Sequence, residues 1–381
     1  MNPLRKAILS AIAGIVLLCT PQFSAAAPAC RGELVIEPAT LLTLHERNAD
    51  RPLPTASTIK MLTALVAVDA IEAGEVAWDT PYTVSYDAAL VGGSQVYLKQ
   101  GETFPLRELL RATLIESAND AAFAVAEAVA GSEEAFVRRM RAKAEELGIE
   151  GARIHSPNGL PSKEGSRFDD AMTPRDMARI GVAVMRHPEL REWVRTPLAG
   201  FRDDTFQLFN FNYLLRRYDG AEGIKTGYHR RADFNLVSAA TRNGVRLIAV
   251  AMGCERKAQL FDRSEQLLDA GFADYRPVTV LARGERLRGR ALVAGGRSAA
   301  VPVLAGDSVQ VMSYRGRAPE IQTLVLSSQR EAPVRPGEAV GKVVVRRGGR
   351  VVAEVPAVAA TGVEEAPWWR RLSSRLLSFF A

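Results

Sequence analysis

The sequence predicts a mixed α/β domain followed by a small all-β domain and a terminal amphipathic helix. Three observations carry that prediction. Helical apolar patterns run from Ser57 to His187, two β-patterned runs (Phe234 to Thr241 and Val245 to Met252) meet at Asn243-Gly244, and short strand-like runs separated by Gly-containing turns follow Tyr275-Arg276-Pro277. A chain of 381 residues has room for one large and one small domain. With 47% hydrophobic and 24% charged residues and a mean hydropathy of -0.03, the composition argues against disorder and against multiple membrane spans. The formal net charge of +6 is too small and too dispersed to indicate a nucleic-acid partner.

The N-terminus reads as an export signal. Arg5 and Lys6 precede an apolar run from Ile8 to Cys19, and the small residues Ser24, Ala25 and Ala26 offer a peptidase site, which makes 1–26 a leader. A lipoprotein signal is disfavoured because Leu18 precedes Cys19 where a small residue is wanted. The mature chain then keeps Cys30 and Cys254, which either form one disulfide or are two separate core residues. The four histidines are scattered without ligand spacing and no C-x-x-C occurs, so neither metal nor cofactor is expected.

Between the leader and position 275 the chain carries three short motifs in order. A strand-like stretch from Glu33 to Leu44 and a turn at 48–52 lead to a long helix expected from Ser57 to about Gly74. Its first residues are Ser57-Thr58-Ile59-Lys60, the chain's only S-x-x-K, and the i, i+3 spacing lets the Lys60 amine reach the Ser57 hydroxyl. Ser57 alone would pass for a helix cap. Ser117-Ala118-Asn119 lies between two further helical patterns, Leu106 to Ile115 and Ala121 to Ala130, the second closed by Gly131. The stretch from Glu133 to His187 is predicted mostly helical, with a loop at 156–161. Lys225-Thr226-Gly227 precedes the predicted hairpin. A lysine on a strand edge is commonly just solvated, but Gly227 would let a ligand backbone approach. Each triplet is weak by itself; their order and wide spacing imply separate segments delivering different groups to one cleft.

Beyond Tyr275 the apolar runs Val278 to Leu281, Val309 to Met312, Ile321 to Leu326, Val343 to Val345 and Val351 to Val355 define the all-β domain, 276–362, with no chemical constellation of its own. In the final segment, 363–381, Trp369, Leu372, Leu376, Phe379 and Phe380 fall on one helical stripe and Arg370, Arg371, Ser374 and Arg375 on the other. It is too short to span a bilayer and suits the surface of one.

The three motifs in this order resemble those of the penicilloyl-serine transferases. Together with the leader, the β-domain and the tail, they make the chain similar to the low-molecular-mass penicillin-binding proteins that act as D-alanyl-D-alanine carboxypeptidases. Gly93-Ser94-Gln95-Val96-Tyr97-Leu98-Lys99, Asn158-Gly159-Leu160 and Gly223-Ile224-Lys225-Thr226-Gly227 extend the likeness. The resemblance implies a peptidase domain, 27–275, with an antiparallel sheet between helical layers. It further implies removal of the terminal D-alanine from peptidoglycan stem pentapeptides through an acyl-enzyme, acylation by β-lactams, and attachment to the outer face of the inner membrane in the periplasm. Ser57 would be the nucleophile, Lys60 its base, lowered in pKa by burial and by the like charge of Lys225, and Ser117 the proton carrier to the leaving amine. Asn119 would hold the substrate amide, Lys225 and Thr226 the terminal carboxylate, and the backbone N–H groups of Ser57 and Tyr228, flanking Gly227, the oxyanion.

Competing readings are weaker. A Ser-His-Asp site around His155 lacks a G-x-S-x-G elbow. A serine β-lactamase would need a water-activating carboxylate, and Glu164 lacks the expected setting. An endopeptidase cutting D-amino-acid cross-links is a closer cousin, and a non-catalytic envelope scaffold would not need an activated nucleophile. Polar residues after the third motif (His229, Arg230, Arg231, Asp233) and acidic ones in the 162–173 loop (Glu164, Asp169, Asp170) are departures expected to affect substrate preference.

Overall fold

A computed structural model describes residues 29–161, 169–315 and 319–367. The predicted leader, Glu164 and all the aromatic and basic residues of the terminal stripe lie outside the described residues. Five strands, β1 (Gly32–Glu37), β2 (Leu42–Arg47), β3 (Ala221–His229), β4 (Asp233–Arg242) and β5 (Val245–Cys254), make one antiparallel sheet in the order β2-β1-β5-β4-β3. The stretch from Glu33 therefore folds as a hairpin, turning at 38–41, rather than as one strand. Asn243 and Gly244 both take positive φ, 50° and 75°, as a tight turn between twisted strands requires.

The sheet is buried on both faces, and the period-2 alternation of its strands divides the core. Ile248, Val250 and Met252 of β5 join Leu34, Ile36, Val237 and Ala239 against one helical layer. Leu247, Ala249 and Ala251 face the other way with Val35 and Leu236. The first layer comprises α1 (Lys60–Glu72), α2 (Leu106–Leu114), α3 (Asn119–Ala130), α4 (Glu133–Glu146) and α5 (Pro174–Val184). Here α1 is buried nearly all round, which explains why its apolar residues form a body and not a stripe. A Thr173/Asp176 capping box with Pro174 starts α5, and Gly131 at φ 77° closes α3. On the opposite face lies α6 (Lys257–Ala273), contributing Leu260, Phe261, Leu267 and Leu268. The predicted sheet between helical layers is the observed arrangement.

Several elements differ from expectation. Among the described residues, 147–161 and 169–173 are not helical: polar side chains there, Asn158 and Asp170 among them, are buried and bond the backbone, competing with helix formation. Neither α6 nor the hairpin Leu198–Phe201/Phe206–Phe209 follows from the sequence patterns described above. Cys30 and Cys254 are bonded, with Cα atoms 4.4 Å apart across 224 residues, so the disulfide alternative is the correct one.

The second domain is all-β. It contains a two-stranded sheet (Tyr275–Leu281 with Val309–Tyr314) and a six-stranded sheet that includes two strands not anticipated, Arg286–Ala294 and Ala300–Ala305. Val301, Val303, Val343, Val345, Ala357 and Ala359 alternate inward to fill its core. Val363, Glu365 and Ala366, assigned by sequence to the terminal helix, belong instead to this domain: Val363 bridges Val334, Glu365 bridges Gly296, and the Ala366 N–H donates to the Gly295 carbonyl. Val363 and Ala366 are buried, and Val363 joins the β-core. Among the described residues no helix is long and apolar enough to cross a membrane.

Candidate active site

Ser57 sits in a single 3₁₀ turn, Ala56–Ile59, that runs into α1 at Lys60. The α-helix proper thus starts three residues later than the pattern suggests. Thr58 secures the turn by donating its hydroxyl to the Thr55 carbonyl at 2.6 Å, and Asn235 of β4 donates to the carbonyls of Pro54 and Thr55 from below. Gly227 of the edge strand β3 abuts this turn. A Cβ on Gly227 would lie 2.9 Å from the Thr55 oxygen and the Thr58 nitrogen and 3.1 Å from the Ser57 nitrogen. The glycine of the third motif is therefore what lets the strand close against the nucleophile's backbone.

Lys60 is fully buried. Its Nζ contacts three oxygens: Ser57 Oγ at 2.9 Å, Asn119 Oδ1 at 2.6 Å and the Asn158 carbonyl at 2.7 Å. No carboxylate is among them, and burial first, then the nearby positive charge of Lys225, holds its pKa far below the usual lysine value. That ordering agrees with the predicted causes. A neutral amine has two N–H donors and one lone pair, and two of the three partners, both carbonyl-type oxygens, can only accept. The hydroxyl of Ser57 is the one partner able to donate to the lone pair.

Ser117 and Asn119 arrive at the N-terminus of α3. Ser117 has a left-handed backbone, φ 64°, a conformation costly for a non-glycine residue and held here by buried neighbours. Asn119 is bridging: Oδ1 accepts from Lys60, Nδ2 donates to the Gly92 carbonyl at 2.8 Å, and a second Nδ2 hydrogen remains for a ligand. Gly93 is needed beside it, since a Cβ there would come within 2.5 Å of Asn119 Nδ2.

Two buried aspartates fix the flanking loops. Asp120 accepts from the N–H groups of Val96 and Leu98 and so pins the Gly93–Lys99 segment. Asp170 accepts from the N–H groups of His155 and Ser156 and from the Ser156 hydroxyl, holding the loop whose Asn158 carbonyl meets Lys60. Neither role is visible in the sequence, because both act chiefly through backbone N–H groups. His155 takes part here through its backbone. Arg231 pairs with Asp169 at 2.8 Å and Asp233 with Arg31 at 2.8 Å, so these residues, flagged for substrate preference, tie the β3–β4 turn to its surroundings.

Lys225 is buried, not solvated as an edge lysine commonly is. Burial lowers its pKa to about 7, opposed by the negative charge of Glu116. Ser57, Ser117, Thr226, Gly227 and Tyr228 line one cleft of about 240 Å³, whose other walls are Ser94, Phe211, Phe234, Asn235, Lys257, Leu260 and Phe261. Among the described residues no cluster of metal-ligating side chains occurs.

A family model described as D-alanyl-D-alanine carboxypeptidase matches residues 21–256, and one described as penicillin-binding protein 5, C-terminal domain, matches 275–365. The D-alanyl-D-alanine carboxypeptidase DacC of Escherichia coli (strain K12) is 30% identical over 351 residues, covering 90% of this chain and 86% of the relative. Penicillin-binding protein 5 of Haemophilus influenzae has a similar structure, with TM-score 0.63 and 25% identity over 88% of this chain and 98% of that one. Penicillin-binding protein D2 of Listeria monocytogenes, solved in an ampicillin-bound form, matches with TM-score 0.58 and 27% identity, covering 64% of this chain and 97% of that one.

Proposed function

The chain belongs to the D-alanyl-D-alanine carboxypeptidase family, and on that premise we propose that it removes the terminal D-alanine from peptidoglycan stem pentapeptides through an ester on Ser57. The observation that carries this reading is the partner set of Lys60: two acceptors and one hydroxyl around a buried amine. Uncharged Lys60 takes the Ser57 proton as Oγ attacks the penultimate D-alanine carbonyl. The oxyanion forms against the Ser57 N–H, which has no intrahelical acceptor at the start of its turn, and against an N–H of the edge strand at Tyr228. As the C–N bond breaks, Ser117 relays the proton from Lys60 to the departing amine of D-alanine, and water then hydrolyses the ester. Asn119 Nδ2 supports the substrate amide, and Thr226 with Lys225 supports the carboxylate. A β-lactam meets the same hydroxyl, its ring amide opening to leave a penicilloyl ester.

The protein acts, in this reading, outside the cytoplasm, where the Cys30–Cys254 bond would persist. Its basic, aromatic terminal segment seats it on the membrane surface. Incubation with a muropeptide pentapeptide should yield free D-alanine and a tetrapeptide, and intact-mass spectrometry with penicillin should find one adduct that disappears in Ser57→Ala. Absence of both products, or an adduct that survives the substitution, would reject the proposal.

A further inference from the structure

One charged residue of the cleft has no role in the chemistry above. Lys257 is the only charged side chain among those lining the cleft, whereas the two lysines of the motifs lie buried behind its wall. It stands at the first position of α6, where a cation faces the positive end of the helix dipole and gains nothing in stability. Among the described residues no carboxylate pairs with it. Its ammonium is instead held by Tyr213, 3.0 Å from the Oη and 4.2 Å from the ring centroid, and Tyr213 is stacked on Phe261 at 5.2 Å. The cation is thus set in place by an aromatic wall. Phe211, Leu260 and Phe261 add apolar surface to the same cleft, so Lys257 supplies its one exposed lining charge.

We propose that Lys257 is a specificity-determining residue: it engages the free carboxylate of the residue that departs, and so selects peptides ending in a carboxylate over those ending in a neutral group. The inference rests on the peptidase reading of the same cleft. It assigns the fixed charge at the cleft surface to Lys257, while Lys225 is buried and does not line the cleft.

The test compares kcat/KM for an acyl-D-alanyl-D-alanine peptide with that for the same peptide carrying a C-terminal amide. In wild-type protein the carboxylate form should be preferred. A charge-assisted contact of this kind is worth about 10- to 100-fold, so the preference should fall by that factor in Lys257→Met and return in Lys257→Arg. Because Lys257 is exposed, raising the salt concentration should erode the wild-type preference and leave that of Lys257→Met flat. A simple packing defect would lower both rates together and would not be rescued by arginine. An unchanged preference in Lys257→Met overturns the inference alone, whereas wild-type protein that hydrolyses neither peptide removes the activity on which it rests, and the inference with it.

Discussion

Substituting Gly227 with alanine isolates the contribution of backbone placement. Gly227 has no positive φ, so alanine is conformationally ordinary there and the perturbation is steric. The added Cβ would meet Thr55 O and Thr58 N at 2.9 Å and Ser57 N at 3.1 Å, all backbone atoms without a rotamer to yield. Non-bonded contacts are optimal near about 3.5 Å or beyond, so the edge strand and the Ser57 turn must part by roughly half an ångström. The two proposed oxyanion donors stand on either side of that gap, one on the turn and one on the strand. Losing a single such donor costs about 100- to 1,000-fold in rate, and acylation by a chromogenic cephalosporin in stopped flow should fall within that range. Overpacking of this kind destabilises by about 1–3 kcal/mol, which a thermal melt would register without loss of the fold. Acylation within about threefold of wild type, in a variant whose melt confirms the strain, would show that the close approach of strand and turn does not set the oxyanion geometry.

Other perturbations separate the remaining parts. Lys60→Ala should lose about 100- to 10,000-fold in acylation while staying folded, and wild-type rates would remove Lys60 as the base. The pH profile of kcat/KM should be bell-shaped, rising as Lys60 loses its proton and falling above about 7 as Lys225 loses its own; a rate that keeps climbing through pH 9 would refute the charge assigned to Lys225. Stability has a matching sign: with both lysines held below their ordinary value of 10.5, the unfolded chain binds more protons between about 7 and 10.5, so stability rises with pH across that window. Lys225→Met should therefore raise the melting temperature more at pH 6 than at pH 10. Reducing Cys30–Cys254 should lower stability by up to about 5 kcal/mol on loop-closure grounds, with Ser57 labelling at low temperature retained; an unchanged melt would mean that the β1–β5 ladder alone supplies the constraint. Truncation after Ala366 should release the protein from membranes without unfolding the β-domain, whose last pairings among the described residues end there; unchanged fractionation would defeat the anchor.

What could be read from the sequence was whatever acts through side-chain identity at short range. Ser57 and Lys60 are three residues apart, and Asn243-Gly244 specifies its turn by the φ values those residues tolerate, so one-dimensional spacing sufficed. Lys225 shows where that logic ends. Edge position predicts a wet lysine, yet its strand packs against the turn at Ala56–Ile59, more than a hundred residues away in the chain, and Lys225 is buried there, a solvated charge turned into a group titrating near neutrality. The same holds for Asn158, whose contribution is a carbonyl that every residue possesses, and for Asp170, whose value lies in holding that carbonyl in place. Such a dependence can be checked directly. Asp170→Ala should leave Ser57, Lys60 and Asn119 in place but free the loop that caps the amine, so that Lys60 loses one of its two acceptors and the remaining orientations no longer reserve its lone pair for Ser57. Misplacement on the order of 1 Å costs about 100-fold, so acylation should drop by roughly that factor while Lys225 and the carboxylate end of the cleft keep their affinity. If affinity for the peptide falls and the acylation rate constant does not, then the Asn158 carbonyl serves the substrate and not the base, and the proton path through Lys60 has to be redrawn.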